Sequence, residues 1–97
     1  MDTKKIAEER IKILFQQAEE KFDEDPELSR RYVEIARRIG ERTQVPIPSE
    51  LQKKFCSSCN NYLKPGKNCR VRLNSQEELV EYTCGECGEV EKYGYRN

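Results

Sequence analysis

Between Ile11 and Phe22 the apolar side chains recur at steps of three and four, as Ile11, Leu14, Phe15, Ala18 and Phe22. That spacing lays them along one stripe of a 3.6-residue period and predicts a helix buried on one side. Asp2 or Thr3 can cap its start. Leu28, Tyr32, Ile35, Ala36 and Ile39 repeat the pattern and predict a second helix. The segment "DEDPEL" separates the two. Asp25 suits an N-cap, Pro26 suits the first helical position, whose N–H has no intrahelical partner, and Glu27 suits the positive end of the helix dipole. Gly40 offers a left-handed stop, with the helix able to run on to about Thr43. Two one-sided helices joined by a short connection predict an antiparallel hairpin.

"VPIPSE" cannot continue a helix, because its two prolines push Val45 and Ile47 towards extended backbone, so it reads as a stiff linker. Beyond it the period falls to two. Cys69, Val71 and Leu73 face one way, and Arg70 and Arg72 the other. Val80, Tyr82 and Cys84 alternate against Leu79, Glu81 and Thr83, and "VEKYGY" supplies a third short strand. "NSQE" separates the first two strands, and "KPGK" is a turn centred on Pro65 and Gly66.

Cysteine placement adds a chemical constraint. Cys56-Ser-Ser-Cys59 and Cys84-Gly-Glu-Cys87 form two CxxC pairs with 24 residues between Cys59 and Cys84. Two thiolates in one tight turn reach the same ion, and two such turns complete a tetrahedron. Histidine is absent, so four cysteines are the ligand set these soft donors allow. Asn60 and Gly88, directly after the pairs, tolerate the positive φ that a metal-wrapping turn demands. Zinc is favoured over a rubredoxin-like iron centre as the common occupant of an all-thiolate site between strands. Four protein ligands leave no open position, so the ion is expected to be structural. Cys69, the fifth cysteine, reads as a small apolar residue of the strand core. The predicted fold is therefore small α+β: a helical hairpin over residues 1–44, a linker over 45–52, and a three-stranded four-cysteine zinc ribbon over 53–97.

Composition explains why such a staple is needed. The 97 residues are 35% apolar and 37% charged, with one Met and no Trp, so the core must be thin. No apolar run approaches a membrane span, and the first ten residues lack the apolar region of a secretory signal. A reducing, cytoplasmic setting is expected, in which cysteine pairs bind metal in preference to forming disulfides. No nucleophile elbow or phosphate-binding glycine loop is present, and there is no histidine to act as a general base. The chain is thus expected to carry no catalytic site.

Net charge is zero, from 18 basic and 18 acidic residues, yet the charges come in blocks. Lys53, Lys54, Lys64, Lys67, Arg70 and Arg72 fall in one stretch without an acid. Gathered by folding, they would meet phosphates and release counterions, which favours RNA as the ligand. Tyr62, Tyr82, Tyr93 and Tyr95 can stack on unpaired bases or pack a thin core. The competing reading is a zinc-ribbon interaction module of the transcription or translation machinery that binds only protein.

"RYVEIARRIG", "IPSELQKKFCSSCNNYLKPGKNCRVRL" and "YTCGECGEVEKYGYR" together resemble the small zinc-ribbon protein subunits of ribonuclease P, component 4 of archaea and its eukaryotic relatives. The specific part is the Arg31-Tyr32-Val33 helix motif together with Pro65-Gly66-x-Asn68-Cys69 inside a four-cysteine ribbon. Short length resembles the archaeal members. The resemblance implies a ribonucleoprotein that removes the 5′ leader of precursor tRNA, with cleavage performed by the RNA subunit and its Mg²⁺. It further implies one structural Zn²⁺ on Cys56, Cys59, Cys84 and Cys87, and an RNA surface made of the six cations above that supports the RNA's specificity domain. The amino-terminal helices would form a heterodimer with a second small protein subunit, with Phe15, Phe22 and Tyr32 as aromatic anchors. Arg30, Arg31, Arg37 and Arg38 could add RNA contacts or pair within the helix with Glu27 and Glu34.

Overall fold

In the computed structural model, which describes residues 3–94, α1 (Thr3–Lys21) and α2 (Pro26–Thr43) form a hairpin. A four-residue helix, α3 (Ser49–Gln52), follows, and then strands β1 (Cys69–Asn74), β2 (Leu79–Cys84) and β3 (Val90–Gly94). The sequence-based candidates Asp2 and Tyr95 lie outside the described residues. The start of α2 follows the expected chemistry: the Asp25 carboxylate accepts the Leu28 N–H at 3.1 Å, with proline next. This satisfies one of the N–H groups that a helix start leaves orphaned.

The hairpin is antiparallel, since Ser29 meets Ala18 while Gly40 approaches Ile11. On α1 the buried line is Ala7, Ile11, Phe15 and Ala18. On α2 it is Ser29, Val33, Ala36 and Gly40, one position round from the stripe of larger side chains. Tyr32 and Ile39 only flank the core, and Ile35 is exposed. Small residues occupy the seam because they allow the two backbones to come close. Ser29 is fully buried there without penalty, its hydroxyl donating to the Ala18 carbonyl at 2.6 Å.

Gly40 is not the helix stop. The left-handed residue is Gln44 (φ 58°), whose N–H closes the last turn. Gly40 is instead a point of close approach: a Cβ there would stand 2.8 Å from the Val45 carbonyl oxygen. The segment after α2 is also more than a spacer. Val45 and Leu51 are buried in the same cluster as Ile11 and Phe15, as are Phe55 and Tyr62 from the first cysteine turn. Phe15 lies against Phe55 with ring centroids 5.5 Å apart, and Phe22 against Tyr62 at 6.1 Å. One apolar core therefore spans the hairpin, the linker and the base of the ribbon.

The sheet is antiparallel in the order β1-β2-β3. Its register places Cys69, Val71 and Leu73 with Cys84, Tyr82 and Val80 on one face, and Arg70 and Arg72 with Thr83 and Glu81 on the other. Only the cysteine end of the first face is buried. Leu73 is 76% exposed because the strands run out past the core.

Candidate metal centre and the cationic surface around it

Two backbone turns of the same design carry the cysteine pairs. In the first, the Cys56 N–H donates to Asn61 O and the Asn60 N–H to Cys56 O; in the second, the Cys84 N–H donates to Glu89 O and the Gly88 N–H to Cys84 O. Asn60 (φ 65°) and Gly88 (φ 81°) occupy the same left-handed position in each. Sequence spacing pointed to both residues for this reason.

The turns converge their thiols. The Sγ atoms of Cys56, Cys59, Cys84 and Cys87 all lie within 4.8 Å of one another, with Cys56–Cys87 at 3.5 Å and Cys59–Cys84 at 3.7 Å. Sulfurs about 2.3 Å from a central zinc form a tetrahedron with edges of about 3.8 Å, so the cluster fits that ion in donor type and in span. Burial pushes the Cys56 thiol up to about 12 and also raises Cys84. At Cys59 burial works in the same sense but is outweighed by hydrogen bonds, chiefly from the Asn61 N–H and its side-chain amide, so its thiol lies below the ordinary range. Burial thus disfavours the thiolate forms of Cys56 and Cys84, which a bound dication would stabilise. Cys69 is buried beside Cys84 and Leu63 and stands outside the four-sulfur group; burial raises its thiol too.

Three long-range contacts hold the centre against the rest of the chain, and none was legible from spacing. The Arg37 guanidinium caps the first turn, donating to Ser57 O at 3.1 Å and to Asn60 Oδ1, and lies 5.2 Å from the centre of the Phe55 ring. Glu91 of β3 accepts from the Ser57 N–H at 3.2 Å and from its hydroxyl. Asp23, in the α1–α2 corner, pairs with Lys67 at 2.6 Å and Lys64 at 3.6 Å. These partners are 20 to 44 residues apart in the chain.

The six cations of the basic stretch are accordingly not equivalent. Lys64 and Lys67 are engaged by Asp23, and Lys64 also lies over the Phe22 ring at 5.6 Å. Lys53 lies 5.4 Å from the centre of the Tyr93 ring, on the opposite side of the sheet from the two arginines. Lys54 is exposed beside the first turn. Arg70 and Arg72 project from β1, exposed and without an ion pair among the described residues. On α2, Arg30 is paired with Glu34 at 3.1 Å, whereas Arg31 and Arg38 are exposed.

The aromatic candidates divide in the same way. Tyr62 is buried, and Tyr82 and Tyr93 pack edge to face. Phe15, a sequence candidate for a partner contact, is 2% exposed and points into the core, where periodicity alone could not separate an inner anchor from an outer one. Phe22 and Tyr32 are half-buried, and the exposed apolar side chains of the helices are Ile6, Ile13 and Ile35.

A helical hairpin fused through one core to a ribbon with a four-thiol cluster and a cationic strand defines a small four-cysteine ribbon protein of the nucleic-acid-binding kind. Residues 10–88 match the model of the RNAse P Rpr2/Rpp21/SNM1 subunit domain, and the chain belongs to that family. Relatives named ribonuclease P protein component 4 include those of Methanosphaera stadtmanae (44% identical, 93% of this chain and 85% of that protein) and Methanocorpusculum labreanum (47%, 93% and 82%). That of Pyrococcus furiosus is 41% identical over 97% of this chain and 81% of its own length. Among solved structures, a chain of the cryo-EM structure of archaeal ribonuclease P with mature tRNA superposes with a TM-score of 0.90 at 36% identity, covering 97% of this chain and 80% of that one. The structure of Pfu Rpp21 superposes with a TM-score of 0.62 at 41% identity, covering 92% and 99%.

Proposed function

We propose that this chain works as a protein subunit of ribonuclease P, supporting a catalytic RNA in removing the 5′ leader of precursor tRNA. The observation that carries the reading is the agreement of fold and sequence, over nearly the whole chain, with a chain of the archaeal ribonuclease P–tRNA assembly. Cleavage itself belongs to the RNA subunit and its Mg²⁺. The family resemblance supports that division, and an ion held by all four cysteines would keep no open coordination position for catalysis.

In this reading Cys56, Cys59, Cys84 and Cys87 hold one Zn²⁺, whose role is to fix the two turns and the strands between them. Residues 53–97 form the RNA-facing part, through Lys53, Lys54, Lys64, Lys67, Arg70 and Arg72, towards the specificity domain of the RNA. Residues 1–44 meet a second small protein subunit through the outer faces of the helices, with Phe22 and Tyr32 at the margin and Phe15 supporting from within. Residues 45–52 join the two. None of the described helices is long and apolar enough to cross a membrane; as a subunit of a tRNA-processing ribonucleoprotein the chain would work in the cytoplasm.

The test is reconstitution of precursor-tRNA cleavage from the RNA, the partner subunit and this chain. Addition of the zinc-loaded chain is expected to raise the rate and lower the Mg²⁺ requirement. An unchanged rate and Mg²⁺ requirement would sink the proposal, as would cleavage by the chain alone.

A further inference from the structure

The turn from Pro65 to Asn68 runs alongside β1 and is tied down at both ends, by the Gly66 N–H to Cys69 O at 3.0 Å and the Gly85 N–H to Asn68 O at 2.7 Å. Between this turn and the outer sheet face lies an open groove of about 770 Å³. That size is within the range of small-molecule sites. Arg70 and Arg72 of β1 and Thr83 and Glu81 of β2 line it, on the single face that the register Arg70↔Thr83 and Arg72↔Glu81 creates. Its end depends on Gly85, where a Cβ would stand 2.9 Å from the Asn68 carbonyl oxygen and push the turn away.

Lys67 also lines the groove and is held by Asp23, but the charges of its strand side are unspent. Asp23 engages Lys64 and Lys67, but no described acid lies within ion-pair distance of Arg70 or Arg72. Glu81 stands between Arg72 and Lys92 in the sheet register, yet it too has no ion pair or side-chain hydrogen bond among the described residues. A free carboxylate among cations weakens the grip on a polyanion unless it meets hydrogen-bond donors, because it offers acceptors only. Among RNA bases guanine presents two adjacent N–H donors, N1–H and N2–H₂, on its Watson–Crick edge. The other three set their donors beside acceptors there. That edge is free in an unpaired nucleotide, the form in which proteins read RNA sequence.

We propose that the groove beside β1 seats one unpaired guanosine of an RNA ligand, with Arg70 and Arg72 on the neighbouring phosphates and Glu81 paired to the base edge. The inference rests on the RNA-binding reading above and names a specificity-determining residue within it. The two arginines supply attraction that any nucleotide shares, and Glu81 supplies the choice of base.

Fluorescence anisotropy of the zinc-loaded 97-residue chain tests this with three labelled eight-nucleotide RNAs: all-uridine, the same with one central guanosine, and the same with inosine, which lacks the N2 amino group. The guanosine RNA is expected to bind about 5- to 10-fold tighter than all-uridine, in line with the discrimination of a bidentate base contact, with inosine between them. Glu81→Gln should bring the three affinities within about twofold while keeping zinc content and circular dichroism unchanged. Arg70→Ala with Arg72→Ala should weaken all three RNAs alike. Equal affinities for wild type, a preference that survives Glu81→Gln, or no binding of any of the three would overturn the guanosine seat. If reconstituted cleavage still responds to the chain in that case, the ribonuclease P reading stands and only the seat is lost.

Discussion

Glycine at position 40 lies inside α2, where alanine would ordinarily stabilise a helix by about 1 kcal/mol. Here the sign reverses, because a methyl group would be forced against the Val45 carbonyl oxygen, which is backbone and cannot swing aside. Gly40→Ala is expected to destabilise the chain by about 1–3 kcal/mol, the usual penalty of overpacking, measured by chemical denaturation. A neutral or stabilising result would mean that the segment after α2 is not held against the helix. Asp23 provides a second test at this scale. Its hydrogen bond from Lys67 holds the carboxyl below its ordinary value of 3.8, aided by the nearby Lys64. A depressed carboxyl contributes stability above that ordinary value and loses it as pH falls through the depressed one, so the clasp weakens only under strongly acid conditions. An NMR titration should find the Asp23 midpoint under 3.8 in wild type and shifted back up in Lys67→Ala.

At the scale of elements, β1 carries two cations, Arg70 and Arg72, that no described acid engages. Each phosphate contact on single-stranded RNA contributes about −0.7 to the slope of log affinity against log salt. Arg70→Ala with Arg72→Ala is therefore expected to flatten the slope for the RNA subunit by about 1.4. Lys64→Ala and Lys67→Ala should flatten it less, since Asp23 competes with phosphate for both side chains. Equal effects from the two pairs would show that the Asp23 contacts do not persist in solution. The strands themselves were readable from the period-two pattern at 69–73 and 80–84, and the register kept the expected faces. α2 was readable as a helix but not in its rotation. Its seam is made of Ser29, Val33, Ala36 and Gly40, and close helix packing selects small size, whereas the pattern of large apolar residues points one step to the side.

For the whole molecule, the four-thiol cluster and the helices are mechanically joined. Arg37 reaches from α2 to the first cysteine turn, and Phe55 and Tyr62 at the base of that turn pack among the side chains of α1. Removal of an ion bound there would leave the four thiols, of which only Cys87 is exposed, with nothing to hold them together, so the damage should travel inwards. Chelation is expected to remove amide-exchange protection from β1–β3 and, with it, from the part of α2 around Arg37. Protection confined to the strands, with α2 unaffected, would show that hairpin and ribbon are energetically separate.

Local chemistry was enough to specify α1, α2, the strands, the two matched turns and the four thiols, but not α3, which lies in the stretch read as a linker. Each depends on neighbours within a few residues: side-chain period, cap, turn residue and ligand spacing. Which lysines are engaged, which aromatic rings are buried, and where an arginine or a carboxylate reaches the metal turns were decided only when distant segments met. Asp23 and Lys67, Arg37 and Ser57, and Glu91 and Ser57 are brought together by tertiary packing, and no periodicity in the chain encodes a contact across that distance.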